Sequence, residues 1–306
     1  MKMKSLFAFA AVGLLGLTAC SNDNDFPLSE EAGQEMRFQV DVNSLQTRAS
    51  HADASIFNDF GISITSATGN QGYNWNNVQV VASGIGQSRT WAPIQPMYWK
   101  YGKQTVNVLA YTPFNADAPA GLVQTKKFPV SVSVQQGPNE YESDVLVYKG
   151  TGINPVDVNG SFKALEIPFQ HVMSQLNVNV TFQGYSQAAI EAVNQITLGG
   201  TVLKGNCNFS KLPIKVTSNN IAATPITVAK SGGENQTVAY SAILVPQTVK
   251  SGKLTVAFSI DGWDYTWTSA QEYTFVENTS YTLNITANDS NTTAASIQSR
   301  AWSVNR

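Results

Sequence analysis

The sequence predicts an all-β protein: two tandem β-sandwiches, mainly antiparallel, with one short helix in the second. Three observations carry this. Runs of alternating apolar and polar residues recur along the chain, bounded by Gly, Pro, Asn or Asp. Period-two alternation marks a half-buried strand, and many short strands with turn signals between them mark sandwiches. Charged residues make up 13% of the 306 residues, about half the usual 25%; Thr, Asn, Ser, Gln and Val fill the gap, a composition that suits exposed sheets. Lastly, a Gly/Pro/Asn-rich stretch from Lys149 to Gly160 reads as a linker. It places a boundary near Gly160 and gives sandwiches over residues 49–160 and 161–306, each of ordinary domain size.

In chain order, residues 1–20 (MKMKSLFAFAAVGLLGLTAC) have a basic start in Lys2 and Lys4, an apolar run from Leu6 to Leu17, and a small-residue exit ending at Cys20. The run is too short for a hydrocarbon core of about 30 Å, so it reads as an export signal and not a span. Leu17-Thr18-Ala19-Cys20 resembles the bacterial lipobox, in which the cysteine is lipidated. Residues 21–48 hold a polar, acidic tether and then a first strand. In that strand Met36, Phe38, Val40 and Val42 alternate with Arg37, Gln39 and Asp41. Arg48, followed by Ala49 and Ser50, lies just beyond it in a polar run of the kind that proteases nick. A trypsin-like cut there would detach the strand and leave an open apolar slot in whatever sheet it completed.

The first half then offers strands at Ile56–Thr65, Val78–Ala82, Gln104–Tyr111, Pro129–Gln135 and Asp144–Tyr148, with an aromatic cluster from Trp91 to Trp99. The second opens with Leu165–Phe182, in which Leu176, Val178, Val180 and Phe182 alternate. The helix falls within Gly184–Asn194, capped by Ser186. Strands follow at Gln195–Lys204, Ile214–Thr217, Thr237–Val245, Lys253–Ile260, Tyr265–Thr268 and Tyr281–Ala287. In the tail, residues 294–306, Ala295 and Ile297 share one face while Trp302 and Val304 fall on the other. Two readings stand for it: a strand donated to a neighbour, or a strand of its own domain.

Little points to chemistry. Residues 1–48 carry four basic and six acidic side chains, and the remainder carries fifteen of each. A neutral body steers toward neither nucleic acid nor an anionic membrane surface. It is also poorly protected against self-association, which is harmless in a polymer subunit. With Cys20 in the leader, Cys207 has no partner for a disulfide and reads as a small buried residue. His51 and His171 cannot build a metal site with one cysteine unless carboxylates carry it, and no HExxH, CxxC, GxSxG or Walker loop occurs. No catalytic residue, cofactor or metal is expected; Asp261-Gly262 reads as a turn, and Asp261 with Asp264 is a carboxylate pair of the kind any chain this long contains. Trp263, Tyr265 and Trp267 alternate on one strand face, with Tyr73 and Trp75 in a turn-rich stretch. They are either sugar-stacking platforms or core.

An ordered set of segments is more specific than any one of them: the lipobox, FQVDV, TRA, MYW before QTVNVLAYTP, DVLVY, IPFQHVMSQLNVNV and AILVPQTV. Together they resemble the fimbrillin family, the lipoprotein pilins of type V pili in gut and oral bacteria. The resemblance implies transthyretin-like sandwiches and an outer-membrane lipoprotein acylated (palmitoylated) on Cys20 and displayed at the cell surface in a fimbrium. It implies that an Arg-specific surface protease cuts between Arg48 and Ala49 and removes the strand Met36, Phe38, Val40, Val42. A strand from another pilin subunit, with the tail residues Ala295, Ile297, Trp302 and Val304 as the candidate donor, then fills the groove. Host or bacterial surface ligands would be partners of an adhesive pilus. The alternative is a surface-anchored lipoprotein that binds glycans through exposed aromatics.

Overall fold

The computed structural model describes residues 33–42, 57–68, 72–84, 89–100, 102, 104–119, 121–137, 141–288 and 292–301. The strands are β1 (Phe38–Val42), β2 (Asp59–Ser66), β3 (Asn74–Ser83), β4 (Thr90–Pro93), β5 (Val106–Thr112), β6 (Phe128–Ser131), β7 (Gln135–Gln136), β8 (Leu146–Ile153), β9 (Leu165–His171) and β10 (Ser174–Gln183). After the short helix α1 (Gln187–Glu191) come β11 (Gln195–Gly199), β12 (Lys204–Asn208), β13 (Lys215–Ser218), β14 (Ile226–Gly232), β15 (Thr237–Leu244) and β16 (Gln247–Val249). The chain ends through β17 (Thr255–Ile260), β18 (Trp263–Thr268), β19 (Tyr273–Phe275), β20 (Thr279–Asn288) and β21 (Thr292–Ala301).

Two large sheets hold most of these strands. The first runs β1-β9-β8-β5-β2-β3-β4, the second β18-β17-β11-β14-β15-β10-β20-β21, with β7 added on β14. Each covers its own apolar core. Phe60, Ile62, Ile64, Val80, Val108, Ile167 and Phe169 belong to the first; Leu176, Val178, Val180, Phe182, Leu198, Val256 and Leu283 to the second. The alternation in the sequence decides which side chains go inward. In β10, Leu176, Val178, Val180 and Phe182 are buried, while Gln175, Asn177, Asn179 and Thr181 stay half-exposed. Those outer side chains bond across the sheet, as Asn179 Nδ2 does to Asn284 Oδ1 at 3.0 Å.

Local signals hold where expected. The Ser186 hydroxyl accepts from the Ala189 amide at 3.2 Å and caps α1. Asp261 and Gly262, at φ 52° and 81°, turn β17 into β18 with Ile260 opposite Trp263. Positive φ at both central residues is the hairpin turn that follows strand twist, and an Asp-Gly pair adopts it readily.

The boundary near Gly160 does not hold. Lys149–Ile153 belong to β8, and β9 pairs with both β8 and β1 in the first sheet. The chain passes to the second sheet between His171 and Ser174. Gly, Pro and Asn mark any chain reversal, and here they build the β8–β9 connection: Asp157 Oδ1 accepts the amides of Asn159 and Ser161, both at 2.9 Å. The two sandwiches also interlock. The expected strand Pro129–Gln135 divides into β6, antiparallel to β12, and β7, parallel to β14, so part of the first half completes sheets of the second. The Gln136 side chain secures the crossing: its oxygen accepts the Ile243 amide at 2.7 Å, and its amide donates to the Ile243 carbonyl at 3.1 Å.

Gln136→Ala strips both buried partners at Ile243. It should lower stability by about 2–4 kcal/mol, read as a shift in the urea midpoint at unchanged slope. Cys207 lies fully buried, and burial pushes its thiol up to about 12. It should stay silent to a thiol reagent in the native protein and react on unfolding; prompt native labelling would contradict this packing.

Candidate functional site

The site is the seat of β1. Met36, Phe38, Val40 and Val42 are 2%, 9%, 9% and 1% exposed, and Arg37 and Gln39 face outward. The Phe38 ring meets Phe60 edge-on, centroids 6.2 Å apart. β1 pairs in parallel with β9 from Phe38 opposite Leu165 to Val42 opposite Phe169, and Leu165 donates its amide to the Arg37 carbonyl at 2.7 Å.

The segment just before β1 bonds to the other end of the same sheet. The Met36 amide donates to the Met97 carbonyl and the Trp99 amide to the Gln34 carbonyl, both at 2.8 Å, around an antiparallel bridge between Glu35 and Tyr98. Gly33 fits there because a Cβ would lie 2.2 Å from the Trp99 carbonyl oxygen. The first strand therefore joins β9 on one side to the chain following β4 on the other. The aromatic cluster Trp91–Trp99 is this far wall: Met97 and Trp99 are buried, and Trp99 stacks on Phe162. Each buried apolar side chain of β1 contributes about 1.5–3 kcal/mol. Without them the floor and the β9 edge would face water.

Sequence reasoning found the strand and missed its seat. Leu165–His171 looked like the start of the second half, although Leu165, Ile167 and Phe169 repeat the alternation of β1 and line the same core. Met97 and Trp99 carry no periodic signal, because their role depends on a turn that brings them back to Gln34.

Other expected residues fall as follows. Cys20, Arg48, Ala49, Trp302 and Val304 lie outside the described residues. Arg48 and Ala49 belong to the segment joining β1 to β2. Residues 292–301 form β21, antiparallel to β20, with Ile297 opposite Leu283 and packed on the second core; Ala295 sits at the register shift between the partners of Asn284 and Ile285. Residues 292–301 thus complete their own sheet at its edge.

Trp263, Tyr265 and Trp267 do share a face, but it turns from core to solvent along the strand and is no platform. Trp267 is buried, and Tyr265 stacks on Phe258 at 5.6 Å and bonds through its hydroxyl to Tyr185. Trp263 stands 70% exposed at the hairpin tip. Tyr73 is buried, its hydroxyl accepting the Lys100 amide, and Trp75 is half-buried. His171 Nδ1 lies 2.8 Å from Asp144 Oδ2, with both side chains in the interior. Asp264 accepts from the Ser259 hydroxyl at 2.5 Å. Among the described residues no group of His, Cys, Asp and Glu could hold a metal.

A family model described as fimbrillin-like matches residues 47–302. The chain belongs to the fimbrillin-like family. The match starts beyond β1, so the first strand of this fimbrillin-like protein lies outside it. Solved structures share the fold. A candidate cell adhesion protein from Bacteroides ovatus superposes with TM-score 0.67 at 16% identity over 90% of this chain and 99% of that one. One from Bacteroides uniformis gives 0.63 at 16% over 88% and 98%. A fimbrial protein from Bacteroides vulgatus gives 0.51 at 15% over 88% and 100%. No curated protein matches the chain.

Phe38→Ala removes the ring that meets Phe60 and should destabilise the full chain by about 3 kcal/mol in chemical unfolding, whereas exposed Arg37→Ala should stay within about 0.5 kcal/mol. Equal effects would mean that β1 is not part of the folded core.

Proposed function

We propose that this fimbrillin-like protein is a fimbrial subunit, exported to the outer membrane as a lipoprotein on Cys20 and activated by an Arg-specific protease that cuts between Arg48 and Ala49. The observation that carries this is the seat of β1. An edge strand with three buried side chains, and Met36 buried just before it, fill an apolar slot, and the only chain linking them onward contains Arg48. Cutting that link turns a covalent strand into a replaceable one. A sandwich that loses it presents unpaired backbone beside an apolar floor, an edge that invites a strand from another chain. The subunit is a capped monomer before cleavage and joins other pilin subunits by strand exchange after it. Its work is structural, with adhesion to host or bacterial surface ligands displayed along the fimbrium.

The tail is the donor this reading favours. β21 pairs along β20 at the sheet edge, and among its described side chains Ile297 alone packs on the core. Such a strand leaves at modest cost, since an edge strand gives up one ladder and not two. The glycan-binding alternative loses its support, because the aromatic trio exposes only Trp263.

Arg48→Ala should hold the surface protein as a lipidated monomer beginning at Cys20, where the unaltered chain yields a species beginning at Ala49 together with ladders of higher mass. Intact mass and N-terminal sequencing read this out. Ladders that persist in Arg48→Ala would sink the cleavage step.

A further inference from the structure

The direction of β1 says something about the strand that replaces it. Among the described residues, the pairs β9–β8, β8–β5, β5–β2, β2–β3 and β3–β4 are all antiparallel. β1 alone in this sheet lies parallel to its ladder partner, over five residue pairs with β9. Parallel hydrogen bonds are slanted, and the pairing is somewhat less stable per residue than an antiparallel ladder. β1 is covalently continuous with β2, the next strand in sequence. A strand arriving from another molecule carries no such connection.

We propose that the slot accepts its incoming strand in the direction opposite to β1, antiparallel to β9. This rests on the reading of β1 as a replaceable strand and adds the orientation of its partner. Reversal leaves side-chain alternation untouched, so apolar residues at every second position still occupy the seats of Met36, Phe38, Val40 and Val42. It makes the whole first sheet antiparallel. The cost is on the far wall, where the segment now around Glu35 is antiparallel to Tyr98 and would become parallel. That contact is one bridge, against five pairs on β9. The longer ladder decides the sign. The resident strand is thereby a placeholder that holds the core closed, and the exchanged strand is the better-paired occupant. Assembly then runs downhill without any new side-chain contact. The partner is an extended segment with apolar residues at alternate positions, at least as long as β1, whose chain enters the slot from the end where β1 now leaves it.

The test takes the chain without its leader, with a site-specific protease sequence placed between Arg48 and Ala49 and Phe38→Ala in the resident strand to loosen it. After cutting, two fluorescent peptides are offered: Gln34–Val42 in natural order, and the same residues in reverse order. Run in opposite directions, the two set the same side chains over the same seats and differ only in backbone direction. Anisotropy titration should show the reversed peptide binding tighter, by about threefold or more, with a scrambled peptide far weaker. Equal or tighter binding by the natural order would overturn the proposal and leave the slot reading standing. Binding by neither, or equal binding by the scrambled peptide, would overturn both.

Discussion

The packing of Phe38, Val40 and Val42 along β9, with Met36 buried just before them, is the interaction on which the first sandwich depends. One short strand satisfies two separate needs. Its backbone pairs with β9 while the preceding residues bond to Met97 and Trp99, so the two ends of the sheet are bridged by a single segment. Its side chains complete a core that also holds Phe60, Ile167 and Phe169. Such a strand is central to the first core although it pairs with only one strand of the sheet, β9.

The rest of the architecture interlocks the two sandwiches. β6 and β7 leave the first half to complete sheets of the second, and Gln136 and Gln247 mimic backbone pairing at buried carbonyls and amides. Parallel pairing of β10 with β20 over ten residue pairs adds a long ladder one strand in from the β21 edge. β9 runs almost directly into β10, with only Val172 and Met173, both buried, between them. The first sheet and the edge strand β21 of the second are thus linked through packed strands.

Strand content was legible because alternation reports directly on burial. Met36 to Val42, Leu176 to Phe182, the Ser186 cap and the Asp261-Gly262 turn all behave as their residues dictate, for each depends on neighbours close in sequence. The segments that failed depend on distant ones. Leu165–His171 has the same pattern whether it belongs to the first sheet or the second. Lys149–Gly160 has the same turn residues whether it links domains or reverses within one. The stripe of Trp263, Tyr265 and Trp267 was correctly placed on one face, but nothing local says how far along the strand that face is covered.

By itself, then, the sequence determined the all-β class, the inward set of each strand, the absence of familiar catalytic motifs and the existence of an apolar first strand followed by Arg48. These follow from side-chain period and residue chemistry. Only the tertiary structure decided that β1 lies parallel to β9, that Met97 and Trp99 form the opposite wall, that β6 and β7 cross into the second sandwich, and that residues 292–301 pair along β20. Strand order, direction and partner are set by which apolar faces close on one another, and a period-two pattern is the same for every partner it could meet.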